Sequence, residues 1–153
     1  MIGLIQRVLE AKVVVDGNTV GQIQTGILLL LGVERADTEA QAQRLLERVV
    51  NYRIFEDSKG RMNRSLLDVQ GGLLVVPQFT LPADTQRGNR PSFTPAAPPE
   101  QGKQLFNYFC AQIQAQGLEL QSGVFGADMQ VHLINNGPVT FWLKTWNEVS
   151  TDE

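Results

Sequence analysis

Met129-Gln130-Val131-His132-Leu133-Ile134-Asn135-Asn136-Gly137-Pro138-Val139-Thr140-Phe141-Trp142-Leu143 holds two strand-like runs around Asn-Asn-Gly-Pro. The reading of those four central residues decides the sheet. Asn-Gly between two strands is a strong turn signal, so the stretch taken alone reads as a hairpin turn. The Gly-Pro pair is costly there. Proline removes a backbone donor and does not belong in a central strand. Glycine allows unusual backbone angles and close backbone approach. An X-Pro bond is also the peptide bond with a substantial cis population.

Working outward, Ile2 to Leu9 reads as a strand. Lys12 to Val15 and Thr19 to Ile23 flank the turn Asp16-Gly17-Asn18 with hairpin spacing. Ile27 to Val33 is almost continuously apolar, the pattern of a strand buried on both faces. Thr38 and Gln41 have capping-box spacing, and Ala42, Leu45, Leu46, Val49 and Val50 follow at helical steps. A helix is therefore predicted over Thr38 to Arg53. Gly72 to Val76 is a short buried strand that leads into Gln78-Phe79-Thr80. Leu81 to Pro99 contains five prolines and reads as a functional loop. A second helix from about Pro99 to Gln116 would face inward with Leu105, Phe106, Phe109 and Ile113. Strands at Leu118 to Ser122, Asp128 to Ile134 and Val139 to Leu143 complete the chain. The predicted class is α+β, with a mainly antiparallel or mixed sheet and two principal helices. One domain is expected over residues 1–143, with a C-terminal tail over 144–153.

The 153 residues suffice for one domain with a substantial core. A hydrophobic content of 42% with 19% charge fits a soluble globular chain and argues against disorder. No apolar run approaches the ~20 residues that span a bilayer. Met1-Ile2-Gly3-Leu4-Ile5 has no basic region ahead of it and reads as a strand, not a signal peptide. The lone Cys110 is compatible with a reducing cytosol, so a cytoplasmic location is expected. A net charge of −3 argues against coating long nucleic acid by bulk attraction. It leaves room for a local basic patch. Lys59, Arg61, Arg64, Arg87 and Arg90 are the candidates, each with solvated surface charge as the plainer reading.

Familiar catalytic sets are scarce. His132 is the only histidine, so any Ser-His-Asp or Cys-His site would need it. A lone His in a strand reads first as structural or surface. Cys110 lies beside the apolar stripe of the second helix, where packing is its default role. One His, one Cys and scattered carboxylates form no metal-ligand spacing, and there is no phosphate or dinucleotide loop. No metal and no cofactor are expected. Backbone donors remain. A strand that ends at Gln78-Phe79-Thr80 exposes N–H groups no longer committed to a ladder, and such groups can stabilise a developing oxyanion.

Two stretches together carry a family resemblance: Pro77-Gln78-Phe79-Thr80 and Asn135-Asn136-Gly137-Pro138-Val139-Thr140. They resemble the Ser-Gln-Phe-Thr and Asn-x-Gly-Pro-Val-Thr signatures of the D-aminoacyl-tRNA deacylases. Met1 to Val8, Asn51-Tyr52-Arg53-Ile54-Phe55, Arg90-Pro91-Ser92-Phe93 and Ala127 to Val131 extend the similarity to about Leu143. Pro77 departs from the usual Ser, which removes a hydroxyl and an N–H beside the active strand.

The resemblance implies an enzyme that hydrolyses the ester of D-aminoacyl-tRNA and rejects the L-form, a chiral proofreading of translation. It implies that the Phe79 and Thr80 amides face the scissile ester while Gln78 shapes the pocket. Either the Thr80 hydroxyl or the tRNA's own ribose hydroxyl would then assist. We take the second, because a Thr hydroxyl needs a base and none is apparent near Thr80. It further implies a homodimer in which a cis Gly137-Pro138 enters the other subunit's site. There its carbonyls would hold the substrate amino group and exclude an L side chain, while a glycyl ester would still fit. Arg7 would brace that motif, against the plain reading of an exposed strand arginine. Phe125 and Met129 would lie near the terminal adenosine, against ordinary core packing. A hydrolase of another small ester, and a tRNA- or nucleic-acid-binding module without activity, are the alternatives.

Overall fold

A 14-residue strand, β1 (Ile2–Val15), organises the molecule. The computed structural model describes residues 1–147. Along one side of β1 run β2 (Asn18–Ile23) and β3 (Gly26–Gly32) in succession. Both are antiparallel to it, from Val15↔Asn18 to Ile2↔Gly32. Along its other side runs β8 (Gln130–Lys144), antiparallel over the whole length from Val14↔Gln130 to Ile2↔Lys144.

The expected hairpin at Asn135-Asn136-Gly137-Pro138 is therefore absent. The two flanking runs are halves of one through-going strand that share β1 as partner. Gln6 pairs with Thr140 and Val8 with Asn135, so residues 136–139 bulge out opposite Arg7. The bulge takes Pro138, which has no N–H, out of the ladder. Likewise, the separate runs read at Ile2 to Leu9 and Lys12 to Val15 are one strand.

α1 (Glu39–Asn51) begins at the predicted cap: the Ala40 N–H donates to Thr38 Oγ1, and the Thr38 N–H donates to Gln41 Oε1. After it come β4 (Phe55–Glu56) and β5 (Met62–Arg64), which form a small separate hairpin, and the one-turn α2 (Leu66–Val69). These three short elements have too few residues for a legible period. β6 (Gly72–Pro77) pairs parallel with β3, and β7 (Leu120–Ser122) pairs parallel with β6. Between them lies α3 (Pro99–Gln114). The sheet is mixed and the class α+β.

The apolar face of α1 and the Leu105, Phe106, Phe109 and Ile113 stripe of α3 cover one side of the sheet, over Ile5, Ile27, Leu29, Leu73 and Val75. Leu28, Leu74 and Val76 point to the opposite side and join Val8, Val13 and Ile23 in a second cluster. β3 and β6 are thus buried on both faces, as their unbroken apolar runs require. Residues read as the start of a tail belong to this packing. Lys144 closes β8, and Thr145, 1% exposed, donates from its hydroxyl to the Gln41 carbonyl (3.1 Å). The rest of that tail, 148–153, lies outside the described residues. No helix among the described residues is long and apolar enough to cross a membrane.

Candidate active site

β6 delivers its last residues to the rim of a cavity of about 490 Å³. Pro77, Gln78 and Phe79 form one wall. Phe93 and Ala96 to Pro99 of the proline-rich loop form a second, and Gly102 and Phe106 of α3 with Phe125 form the third. Backbone bonds fix the loop. Asp84 and Ser92 exchange two of them (2.8 and 2.9 Å), and the Ala97 N–H donates to the Val33 carbonyl (2.9 Å). Arg35 Nε also donates to the Thr94 carbonyl. These bonds tie the loop across itself and to Val33 and Arg35.

At the rim the backbone leaves the ladder in a defined order. The Gln78 N–H still donates to the Leu31 carbonyl (2.8 Å). The chain then turns, with the Leu81 N–H on the Gln78 carbonyl (3.2 Å) and the Ala83 N–H on the Thr80 carbonyl (3.1 Å). Among the described residues, the N–H groups of Phe79 and Thr80 have no hydrogen-bond partner. Two adjacent donors are left uncommitted where a cavity opens. The Phe79 ring, 65% exposed, stands 5.4 Å from the Phe93 ring. Gln78 Nε2 donates to Thr80 Oγ1 at 2.5 Å. Among the described residues no imidazole, amine or carboxylate is bonded to that hydroxyl.

Arg7 is buried, 6% exposed, not the surface arginine of the plainer reading. Its Nε donates to the Asn136 carbonyl (2.9 Å) and its Nη1 to the Ile54 carbonyl (2.7 Å). The Asn135 side chain closes the bulge from the other end. Its Oδ1 accepts from the Val139 N–H (2.8 Å), and its Nδ2 donates to the Val139 carbonyl (3.1 Å), Thr140 Oγ1 (3.0 Å) and Gln6 Oε1 (3.1 Å). Between these anchors the Gly137-Pro138 peptide is cis, and both residues are exposed. Gly137 has φ +154°, and a Cβ there would stand 2.4 Å from Val139 Cγ2, so only glycine fits.

Within one chain these features do not meet. β8 and β6 are separated by β1 and β3. Three strand spacings hold β8 and β6 roughly 14 Å apart across the sheet. The Phe79 rim lies further along, well past Leu73, the β6 residue level with Arg7 and the bulge. Phe125 lines the cavity with its ring 6.2 Å from that of Phe106. Met129 does not line it: the side chain packs on the second core cluster, over Gly123 beside Pro77. His132 is exposed on β8, away from the cavity. Cys110 packs against the first core cluster, and burial pushes its thiol up to about 11. Among the described residues no three His, Cys, Asp or Glu side chains are grouped to hold a metal ion. Sequence reasoning quoted Asn135 and Phe93 within motifs but gave them no role. It assigned Phe106 to the core stripe alone.

The sequence pattern of the D-Tyr-tRNA(Tyr) deacylase family matches residues 4–144. The chain belongs to that family. It is 60% identical over 144 residues to the D-aminoacyl-tRNA deacylase of Alkalilimnicola ehrlichii, with 94% of this chain and 96% of that one covered. It is 56% identical over 151 residues to that of Nitrosococcus oceani, covering 99% and 97%. Among solved structures, a c-Myc DNA unwinding element binding protein superposes with TM-score 0.91 at 38% identity, covering 96% of this chain and all of that one. A probable eukaryotic D-amino acid tRNA deacylase shares the fold at 16% identity, with TM-score 0.83. The matched residues include both the Gln78-Phe79-Thr80 rim and the Asn135–Thr140 bulge.

Proposed function

We propose that this protein hydrolyses the ester of D-aminoacyl-tRNA to free tRNA and the D-amino acid. Besides family membership, the observation that carries the chemistry is the pair of uncommitted N–H groups at Phe79 and Thr80. Water adds to the carbonyl carbon and the ribose oxygen leaves with a proton. The carbonyl oxygen bears negative charge in between, and the two amides would receive it. One such donor is typically worth ~3 kcal/mol of barrier. Gln78 holds Thr80 Oγ1 as an acceptor, which supports a positioning role for the hydroxyl and leaves attack to water assisted by the tRNA's ribose hydroxyl.

The proposed site is completed by a second copy of the chain. Gly137-Pro138 of that copy would reach the cavity, from which its own chain's bulge is separated by β1 and β3. Its backbone would contact the substrate amino group and occupy the space an L side chain needs. An exposed bulge anchored from below by Arg7 and Asn135 supports this reading. A glycyl ester lacks a side chain to exclude and fits the same wall. Phe125 and the neighbouring apolar wall suit the terminal adenosine, with Met129 supporting Pro77 from behind.

The c-Myc DNA unwinding element binding protein keeps a second reading in view, a nucleic-acid-binding module without turnover. Deacylation of matched D-, L- and glycyl-tRNA separates the two. Fast release from the D- and glycyl-tRNA with the L-form spared is expected. A D-aminoacyl-tRNA that decays no faster than its spontaneous rate would sink the enzyme reading. Preference for simple amino-acid esters over charged tRNA would instead indicate a hydrolase of other substrates.

A further inference from the structure

The β4–β5 hairpin is rooted in the core and basic at its tip. Ile54 and Phe55 are buried, whereas Lys59, Arg61, Met62, Asn63 and Arg64 are exposed. Residues 53–64 carry four of the 13 cations of the chain against two carboxylates. A local net charge of +2 inside a chain of −3 leaves −5 elsewhere. This is a concentration of charge, not a sample of the average surface.

The nearby Asp57 and Asp68 are engaged first by local hydrogen bonds; the Ser65 bonds foremost, then the charges of Arg64 and Arg53, lower the Asp68 carboxyl. Asp57 is turned onto the hairpin itself, where it accepts from the Lys59 N–H (2.8 Å), the Arg61 N–H (3.0 Å) and Asn63 Nδ2 (2.9 Å). The Asn63 bond foremost, then the backbone donors, hold its carboxyl below the usual carboxylate range. Asp68 caps α2 through the Ser65 N–H (2.8 Å). Arg53 is held along the hairpin by Asn63, and Arg64 rests on the Asp68 carbonyl (3.2 Å). Among the described residues, the Lys59 and Arg61 side chains make no hydrogen bond or ion pair.

One buried guanidinium joins this hairpin to the Gly137-Pro138 bulge. Arg7 donates to Ile54 at the hairpin root and to Asn136 at the base of the bulge. We infer that the β4–β5 hairpin is an arm that grips the phosphate backbone of the RNA whose acylated end the bulge engages. The inference rests on the deacylase reading above. A ridge that enters a cavity beside the acylated ribose carries its attached hairpin to the nucleotides leading to that ribose. Phosphate contacts of this kind position the substrate without reading sequence. Exposed, unpaired Lys and Arg side chains on a fixed turn suit them, since they release counterions with little loss of existing bonds.

The test compares wild type with a Lys59→Gln, Arg61→Gln, Arg64→Gln triple variant and with the charge-retaining Lys59→Arg, Arg61→Lys, Arg64→Lys variant. Three readouts are taken: binding of uncharged tRNA against salt, kcat/KM on full-length D-aminoacyl-tRNA, and kcat/KM on the D-aminoacyl ester of adenosine. The glutamine variant should bind tRNA about tenfold more weakly near 0.1 M salt, with a log–log salt slope smaller by about 2. Its kcat/KM on full-length substrate should fall in step, while the adenosine ester is turned over as by wild type. The charge-retaining variant should restore both. Unchanged tRNA affinity and slope in the glutamine variant would overturn the arm, as would an equal loss on both substrates. Failure of wild type to turn over either ester would sink the deacylase reading, while tRNA binding still decides the arm.

Discussion

The cavity beside β6 is walled by side chains, whereas the bulge on β8 exposes Gly137-Pro138 and is anchored from underneath by Arg7 and Asn135. Phe79, Phe93, Phe106 and Phe125 supply apolar surface to the first. At the second, Arg7 and Asn135 grip the carbonyls and N–H groups on either side of Gly137-Pro138. Aromatic walls adapt by small rotations. A backbone wall has one shape, provided its anchors hold. The two regions therefore suit different tasks: in the proposed site the first would hold a flat, largely apolar group, and the second would discriminate by excluded volume. Substitutions in each should fail differently.

The largest effect is expected at Arg7. Arg7→Ala removes two charge-assisted bonds and leaves the Asn136 and Ile54 carbonyls without their donor. Loss of hydrogen bonds from a charged group at a buried site costs about 2–4 kcal/mol of folding stability. The kcat/KM for D-aminoacyl-tRNA should fall at least a hundredfold, about 2.7 kcal/mol. Lysine carries the charge but not the fork, so Arg7→Lys should recover only part of it. Denaturant unfolding and deacylation kinetics measure both quantities. An Arg7→Ala enzyme within threefold of wild type would mean that the bulge does not depend on its anchor.

Phe125→Ala should act on the other side of the comparison, and less. It removes one cavity wall and leaves the bulge untouched. KM should rise about tenfold, or 1.4 kcal/mol, with kcat and the D-over-L ratio little changed. Collapse of that ratio would break the division of labour, because it would give the apolar wall a share in chirality.

The same contrast governs what could be read from the sequence. The strands, both main helices and the Thr38–Gln41 cap were legible, because periodicity and capping are local. The Phe79-Thr80 rim was legible as the end of an apolar strand. The bulge was not. Asn-Gly signals a turn to anyone reading six residues, and only the unbroken run of β1 alongside shows that the strand continues. Arg7 was legible only through the resemblance, which gave it as the brace of that motif. Its own residue context read as an exposed strand arginine, because its partners are carbonyls 47 and 129 positions away and a carbonyl carries no residue type. The basic hairpin lay between these cases. Its cations were visible in the sequence, but the inward turn of Asp57 was not.

The smallest effects are expected at the residues a conventional hydrolase would use. Burial holds the Cys110 thiol near 11, against an ordinary value of 9.0. The neutral form is favoured in the folded state. At pH 8 about one molecule in a thousand would carry the thiolate, the nucleophilic form. Iodoacetamide should therefore label native Cys110 slowly at pH 8 and rapidly after unfolding. The linkage has a definite sign. The raised value leaves stability unaffected below pH 9.0 and lowers it as pH climbs through the interval towards 11. Cys110→Ala should flatten the stability profile in that interval and leave deacylation within about twofold of wild type, a change below 0.5 kcal/mol. His132→Ala should likewise leave deacylation within about twofold of wild type, because the exposed imidazole touches neither the cavity nor the bulge. A hundredfold loss in either variant would move the chemistry off the backbone amides and onto a side chain. The contrast between an adaptable apolar wall and a fixed backbone wall would then no longer account for the reaction.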